Sequence, residues 1–178
     1  METELKKWID NINHLDLPKW NDLPSIGLYS EQVLAYINSY LEKIFLDYNN
    51  QKDYLVTPSM INNYVKNKIM PSPINKKYYQ GHIAYILTIT VLKQVGNLVD
   101  VHKGIVYLKR VLGHQIAYNT FIDFLENSLE ASVLELTGRP NSSYYTKAVS
   151  LDLLPLKTAT IAFTSVMLSR YLFSRNKL

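Results

Sequence analysis

Between Tyr54 and Val99 the chain contains neither aspartate nor glutamate. The same stretch carries Lys66, Lys68, Lys76, Lys77 and Lys93, and with them His82, in a protein whose net formal charge is only +4. Everything outside the stretch is therefore close to neutral, and the basic character is local. A cationic segment stripped of carboxylates suits a polyanion. A run of buried helices would also lack acids, but it would not gather four lysines around Pro71 and Pro73.

Other absences narrow the field. There is no cysteine, which excludes disulfides, thiolate metal sites and cysteine nucleophiles. Six glycines in 178 residues are few for a β-rich or loop-rich protein. The strongest candidate for a membrane segment, 156–173, is interrupted by Lys157 and Arg170. Its uncharged part falls well short of the roughly 20 residues that span a bilayer. A buried helix or a subunit interface is expected there, with no membrane partner. The opening METELKKWIDNINHLDLPKW has no apolar core of a secretory signal, so a cytoplasmic setting is expected. His14, His82, His102 and His114 include no pair at helical metal-site spacing. Asp123, Glu126 and Glu130 share a helix face, but no Glu-x-x-His accompanies them, and a solvated face is expected. Neither a phosphate-cradling glycine loop nor a nucleophile elbow is present. The expectation is a protein without enzymatic activity, metal or cofactor.

What is present is helical periodicity, and the fold class read from it is all-α. Residues 3–13 place Leu5, Trp8, Ile9 and Ile12 on one side. An irregular connection with Pro18, Pro24 and Gly27 follows. Ser30 is suited to cap a helix running to about Tyr48, and NNQKD at 49–53 is a polar loop. Thr57-Pro58 announces a helix over 57–69, since threonine caps well and proline at the first position surrenders a donor that would be orphaned anyway. Tyr79 to Val95 is a long apolar helix stopped by Gly96, and Asn97 with Asp100 forms a capping pair for the next, which ends at Gly113. From His114 to Thr137 the residues Tyr118, Ile122, Leu125, Leu129, Val133 and Leu136 make one stripe, closed by Gly138-Arg139-Pro140. The last helix, 156–175, carries two apolar rows: Leu156, Ala159, Phe163 and Val166, and Ile161, Leu168 and Leu172. The fourteen tyrosines could line a pocket among the C-terminal helices, although half-buried core positions are their ordinary place.

The 57–69 helix carries the chemistry. Ile61, Val65 and Ile69, flanked by Met60 and Tyr64, form its core side, while Ser59, Asn62, Asn63, Lys66 and Asn67 take the other. That outward face is amide and ammonium without carboxylate, whereas ordinary solvated faces mix both signs. Asparagine pairs bidentately with adenine in the major groove, and lysine reaches guanine or phosphate. Ser59, Asn62, Asn63 and Lys66 are the candidate base readers. Lys68, Lys76 and Lys77, around the Pro-x-Pro turn, are the candidate phosphate clamps.

TPSMINNYVKNKIMPSP followed by KKYYQGHIAYILTITVLKQVG resembles the bacterial family termed domain of unknown function 1836, over roughly residues 25–112. More loosely, it resembles the winged helix-turn-helix of MerR-type transcription regulators. Ile61, Asn62, Asn63 and Tyr64 stand at that motif's Leu-Arg-Tyr-Tyr core; Ile69, Met70 and Pro71 match its apolar pair and proline; Lys76 and Tyr78 match its Arg-x-Tyr; Gly96 falls at its helix joint. Asn62 and Asn63 replace the motif's Arg and first Tyr, Lys68 replaces the glycine ending the recognition helix, the wing is short, and the loop before Thr57 is longer than the motif's tight turn. The resemblance implies an N-terminal helix and linker at 1–24, a winged helix-turn-helix at 25–112 and a helical C-terminal region at 113–178. A transcription regulator bound to double-stranded DNA is the expectation, and because a single module of this size makes too few contacts for tight operator binding, a homodimer formed through the 114–137 helix or the last one is expected with it. Two alternatives keep the fold: a protein-interaction adaptor without DNA, and a sensor whose C-terminal helices take an apolar small-molecule effector.

Overall fold

A computed structural model describes residues 3–46, 52–139 and 142–175, and all regular structure among them is helical. Helix α1 (Thr3–Asn13) turns Leu5, Trp8, Ile9 and Ile12 inward. Trp8 Nε1 donates to the Ile44 carbonyl at 2.8 Å, satisfying a backbone group at the end of the next helix that would otherwise be an orphan. That helix, α2 (Ser30–Ile44), starts at the residue expected to cap it, one residue earlier than expected. Tyr29 is the cap and Ser30 is already helical. Gln32 Oε1 accepts from Tyr29 N at 2.9 Å, which is half of a capping box. The helix stops at Ile44, short of the expected Tyr48, which lies outside the described residues together with most of the NNQKD loop. Phe45 turns extended, stacks on Tyr54 at 4.8 Å between ring centres and meets Phe163 edge-on.

Helix α3 (Pro58–Lys66) starts as its residues predict, with Thr57 Oγ1 accepting from Met60 N at 3.3 Å and Pro58 leading the helix. Its entry is fixed by Asn38 of α2, which accepts from Val56 N at 2.8 Å and donates to Val56 O at 3.1 Å. The helix ends in a Schellman turn: Ile69 N donates to Tyr64 O at 2.8 Å and Lys68 N to Val65 O at 3.0 Å.

Helix α4 (Gln80–Leu92) is the centre of the molecule. Every residue from His82 to Leu92 is buried, because α2, α5, α6 and α8 surround it. It ends at Leu92 rather than Val95, since the last turn tightens into bonds from Gln94 N to Val91 O and Val95 N to Leu92 O. Helix α5 (Leu98–Leu112) is capped by Asn97, whose Oδ1 accepts from Asp100 N at 2.9 Å. Gly113, at φ +79, ends α5 and opens α6 (His114–Leu136), a left-handed corner that suits glycine. The expected α6 stripe is buried from Tyr118 through Val133, with Leu136 half-buried. Of the three acids expected on a solvated face, Glu130 is exposed, but Asp123 and Glu126 do more than face water. Lys19 Nζ reaches Asp123 at 2.6 Å and Glu126 at 3.2 Å, and Leu17 N donates to Glu126 Oε1. Tyr118 Oη donates to Pro18 O and Asn119 accepts from Trp20 N, so the irregular 14–29 segment is strapped along α6.

After the short α7 (Ser142–Thr146), helix α8 (Leu154–Arg175) packs on α6. Its buried row differs from both expected rows: it is Leu156, Thr160, Phe163, Thr164, Met167 and Tyr171, while Leu168 is half-buried and Leu172 exposed. One connected set of buried apolar side chains runs from Leu5 to Tyr171, across the boundary expected near residue 113. No helix among the described residues is long and apolar enough to cross a membrane.

Candidate nucleic-acid interface

On α3, Ile61 and Tyr64 are buried against the body, with Met60 and Val65 half-buried beside them. The opposite side, Ser59, Asn62, Asn63, Lys66 and Asn67, is open to solvent. Two of these residues form a unit. Asn67 Nδ2 donates to the Asn63 carbonyl at 2.9 Å and to Asn63 Oδ1 at 2.7 Å, so the Asn63 side-chain oxygen is already engaged.

Lys68 and Lys76 are exposed, and both stand where the backbone has the left-handed conformation, at φ +56 and +63. Lys68 fills the turn position after α3 that glycine usually takes. Asn75 and Lys76 form the tip of a two-residue hairpin closed by paired bonds between Ile74 and Lys77, 3.0 and 2.9 Å long. Such tips favour Asn-Gly, because both central residues need positive φ. A lysine in the left-handed region costs about 1 kcal/mol relative to glycine. Ammonium groups are held at both places despite that cost. Among the described residues, Lys66, Lys68, Lys76 and Lys77 have no carboxylate partner.

Three groups of the basic stretch sit differently from the sequence reading. Lys77 is half-buried, with Nζ 5.3 Å from the centre of the Tyr29 ring. Lys93 is half-buried beside Met60, and burial lowers its pKa. His82 is buried: Nδ1 accepts from Tyr79 N at 3.0 Å, which leaves Nε2 to donate to Ser72 O at 3.1 Å. The imidazole caps α4 and ties it to the Pro71–Pro73 turn, so it is a structural tie and not part of the exposed cationic surface.

The turn region is docked rather than free. Leu28 and Tyr78 exchange backbone bonds of 2.9 and 2.8 Å, an isolated antiparallel bridge. Gly27 makes room for it, since a Cβ there would stand 2.8 Å from the Tyr79 ring and 2.9 Å from Lys77 Cβ. Among the described residues the expected wing therefore consists of two isolated bridges and no full strand.

The family model described as Domain of unknown function (DUF1836) matches residues 18–125. The chain belongs to that family. No curated protein and no solved structure matches it. The DUF1836 span covers the strap from Pro18, all of α2 to α5 and the first half of α6, including both Lys19 and its partner Asp123. It is wider at both ends than the 25–112 segment that carries the resemblance in sequence. The α3 face and the hairpin tip lie inside it. Tyr29 and Asn38, which position Lys77 and α3, also belong to the DUF1836 span; no spacing signal marks them, because their partners lie far along the chain.

Proposed function

We propose that this DUF1836 protein is a sequence-specific regulator that binds double-stranded DNA. In this reading α2 and α3 act as a helix-turn-helix, and the 74–77 hairpin acts as a minimal wing of MerR type. Ser59, Asn62, Asn63, Lys66 and Asn67 of α3 face the major groove, and Lys68, Lys76 and Lys77 hold phosphates. The observation that carries the reading is the open α3 face with its neighbouring lysines, all without a carboxylate partner among the described residues. The backbone strain accepted at Lys68 and Lys76 supports it, since glycine would serve those turns better if charge were unimportant. The mutual bond of Asn63 and Asn67 leaves Asn62 as the stronger candidate for a bidentate adenine contact. Lys77 reaches a phosphate by leaving the Tyr29 ring. A homodimer completes the assignment, because one module of this size makes few contacts. The α6 stripe is consumed inside the chain, so exposed Leu172 and Phe173 of α8 are the better candidates for that contact. The setting assigned is the cytoplasm.

A salt titration with a mixed-sequence duplex, read by fluorescence anisotropy, tests this. The observed affinity falls steeply with added salt, and Lys76→Ala flattens the log–log slope by roughly one unit. A protein-interaction adaptor of the same fold shows no duplex binding even at low salt, and that result overturns the proposal.

A further inference from the structure

Helices α4, α5, α6 and α8 enclose a partly open cavity of about 720 Å³, and no residue of α3 is in its lining. Its walls are apolar and it is made by small side chains. Gly81 and Ala84 of α4, Gly104 of α5, and Ala159 and Ala162 of α8 leave space that larger side chains would occupy. A Cβ added at Gly104 meets nothing within 4 Å, and one at Gly81 meets only the Trp20 ring at 4.0 Å. Gly104 is exposed and stands at the open side of the cavity, where a larger side chain has room to cover its mouth. The wall that α5 provides is thin, since only Val101 and Leu108 of its residues are buried.

The polar groups are few and converge on one part of the lining. Lys109 Nζ lies 3.2 Å from Tyr85 Oη and 5.5 Å from the centre of that ring, and no carboxylate pairs with it among the described residues. His114, also in the lining, stands edge-on to Trp20. Its pKa is lowered by desolvation first and by the nearby charge of Lys109 second. The lining acid Asp152 is engaged by the Tyr107 hydroxyl, and Asp100 is bonded within the α5 cap and paired with Lys103.

We propose that this cavity binds a small apolar molecule carrying one carboxylate, with the chain or ring system between α4, α5 and α8 and the carboxylate on Lys109, the Tyr85 hydroxyl and His114. The volume falls within the roughly 300–1,000 Å³ of small-molecule sites, and an apolar wall with a few convergent polar groups is their usual composition. An unpaired ammonium beside a phenol hydroxyl selects an anion over a cation. The site stands independently of DNA binding and goes beyond it.

Trp20 lines the cavity and Trp8 is buried elsewhere, so tryptophan fluorescence reports occupancy. Dodecanoate, dodecanol and dodecylamine, each kept below its micelle threshold, are titrated into the full chain. Dodecanoate changes the emission saturably and binds roughly tenfold or more tighter than dodecylamine. Lys109→Met removes most of that preference while dodecanol binding is retained. Gly104→Leu covers the mouth, abolishes binding of all three and keeps or raises the melting temperature, which separates a closed site from a misfolded chain. Three results overturn the proposal: no saturable binding of any probe, equal binding of dodecanoate and dodecylamine, or unchanged dodecanoate binding to a folded Gly104→Leu protein.

Discussion

Replacing Lys66, Lys68 and Lys76 together with glutamate is expected to lower affinity for a mixed-sequence DNA duplex by roughly a hundredfold or more at low salt. Each substitution removes an attraction to phosphate and installs a repulsion. All three side chains are exposed and none has an ion-pair partner among the described residues, so the fold should barely register the change. Exposed substitutions of this kind usually fall within about 0.5 kcal/mol. Lys68→Gly supplies the control in the other direction. It relieves a left-handed lysine at φ +56 and is expected to stabilise the fold by about 1 kcal/mol while weakening DNA binding. Opposite signs for stability and affinity at one position are what a functional charge predicts. Anisotropy and thermal melts on the same samples measure both, and a triple variant that binds duplex as well as the parent contradicts the assignment.

The second large effect is on stability. Lys157→Met is expected to cost about 3 kcal/mol, which for a domain of this size is roughly a 10 °C fall in melting temperature. Lys157 is only 3% exposed and has no carboxylate partner among the described residues. Its ammonium instead donates to Lys147 O at 2.6 Å and Tyr145 O at 3.2 Å, and lies 5.2 Å from the centre of the Tyr144 ring. Tyr144 in turn bonds Ser128 and the Phe124 carbonyl of α6. One buried ammonium thus fastens the 144–147 segment across the α6–α8 pair. Methionine keeps the apolar stem but leaves two carbonyls without their charged donor. Urea unfolding of the two proteins measures the difference, and a change below about 0.5 kcal/mol means that water satisfies those carbonyls instead.

Where a helix has one wet and one dry side, its pattern is legible. The α6 stripe from Tyr118 to Val133 and the division of α3 between Ile61 with Tyr64 and the asparagine side both follow from residue type. Helix α8 resists the same reading. Thr160 and Thr164 look polar, yet each donates its hydroxyl to a carbonyl of its own helix, Lys157 O and Ile161 O, and is then fully buried. They take the core positions that Ile161 and Leu172 seemed to claim. At the α3 site, spacing separates exposed from buried but does not reveal pairing. Lys77 over Tyr29, His82 between Tyr79 and Ser72, and Asn38 on Val56 depend on how distant segments meet. The acids on α6 hold Lys19 for the same reason. A tyrosine-lined pocket among the C-terminal helices is an expectation of the sequence, and Tyr85, Tyr107 and Tyr118 do line the cavity, but its position between α4, α5, α6 and α8 was not legible because it depends on what Gly81 and Ala84 lack.

The account stands on the α3 side and its lysines being where nucleic acid touches the protein. Amide and side-chain NMR shifts, followed while a short duplex is titrated in at low salt, test that most directly. The result predicted is perturbation concentrated at residues 58–68 and 74–77, with the side-chain amides of Asn62, Asn63 and Asn67 among the largest. Shifts confined to α5 and α8, or none with the duplex in large excess, would contradict it.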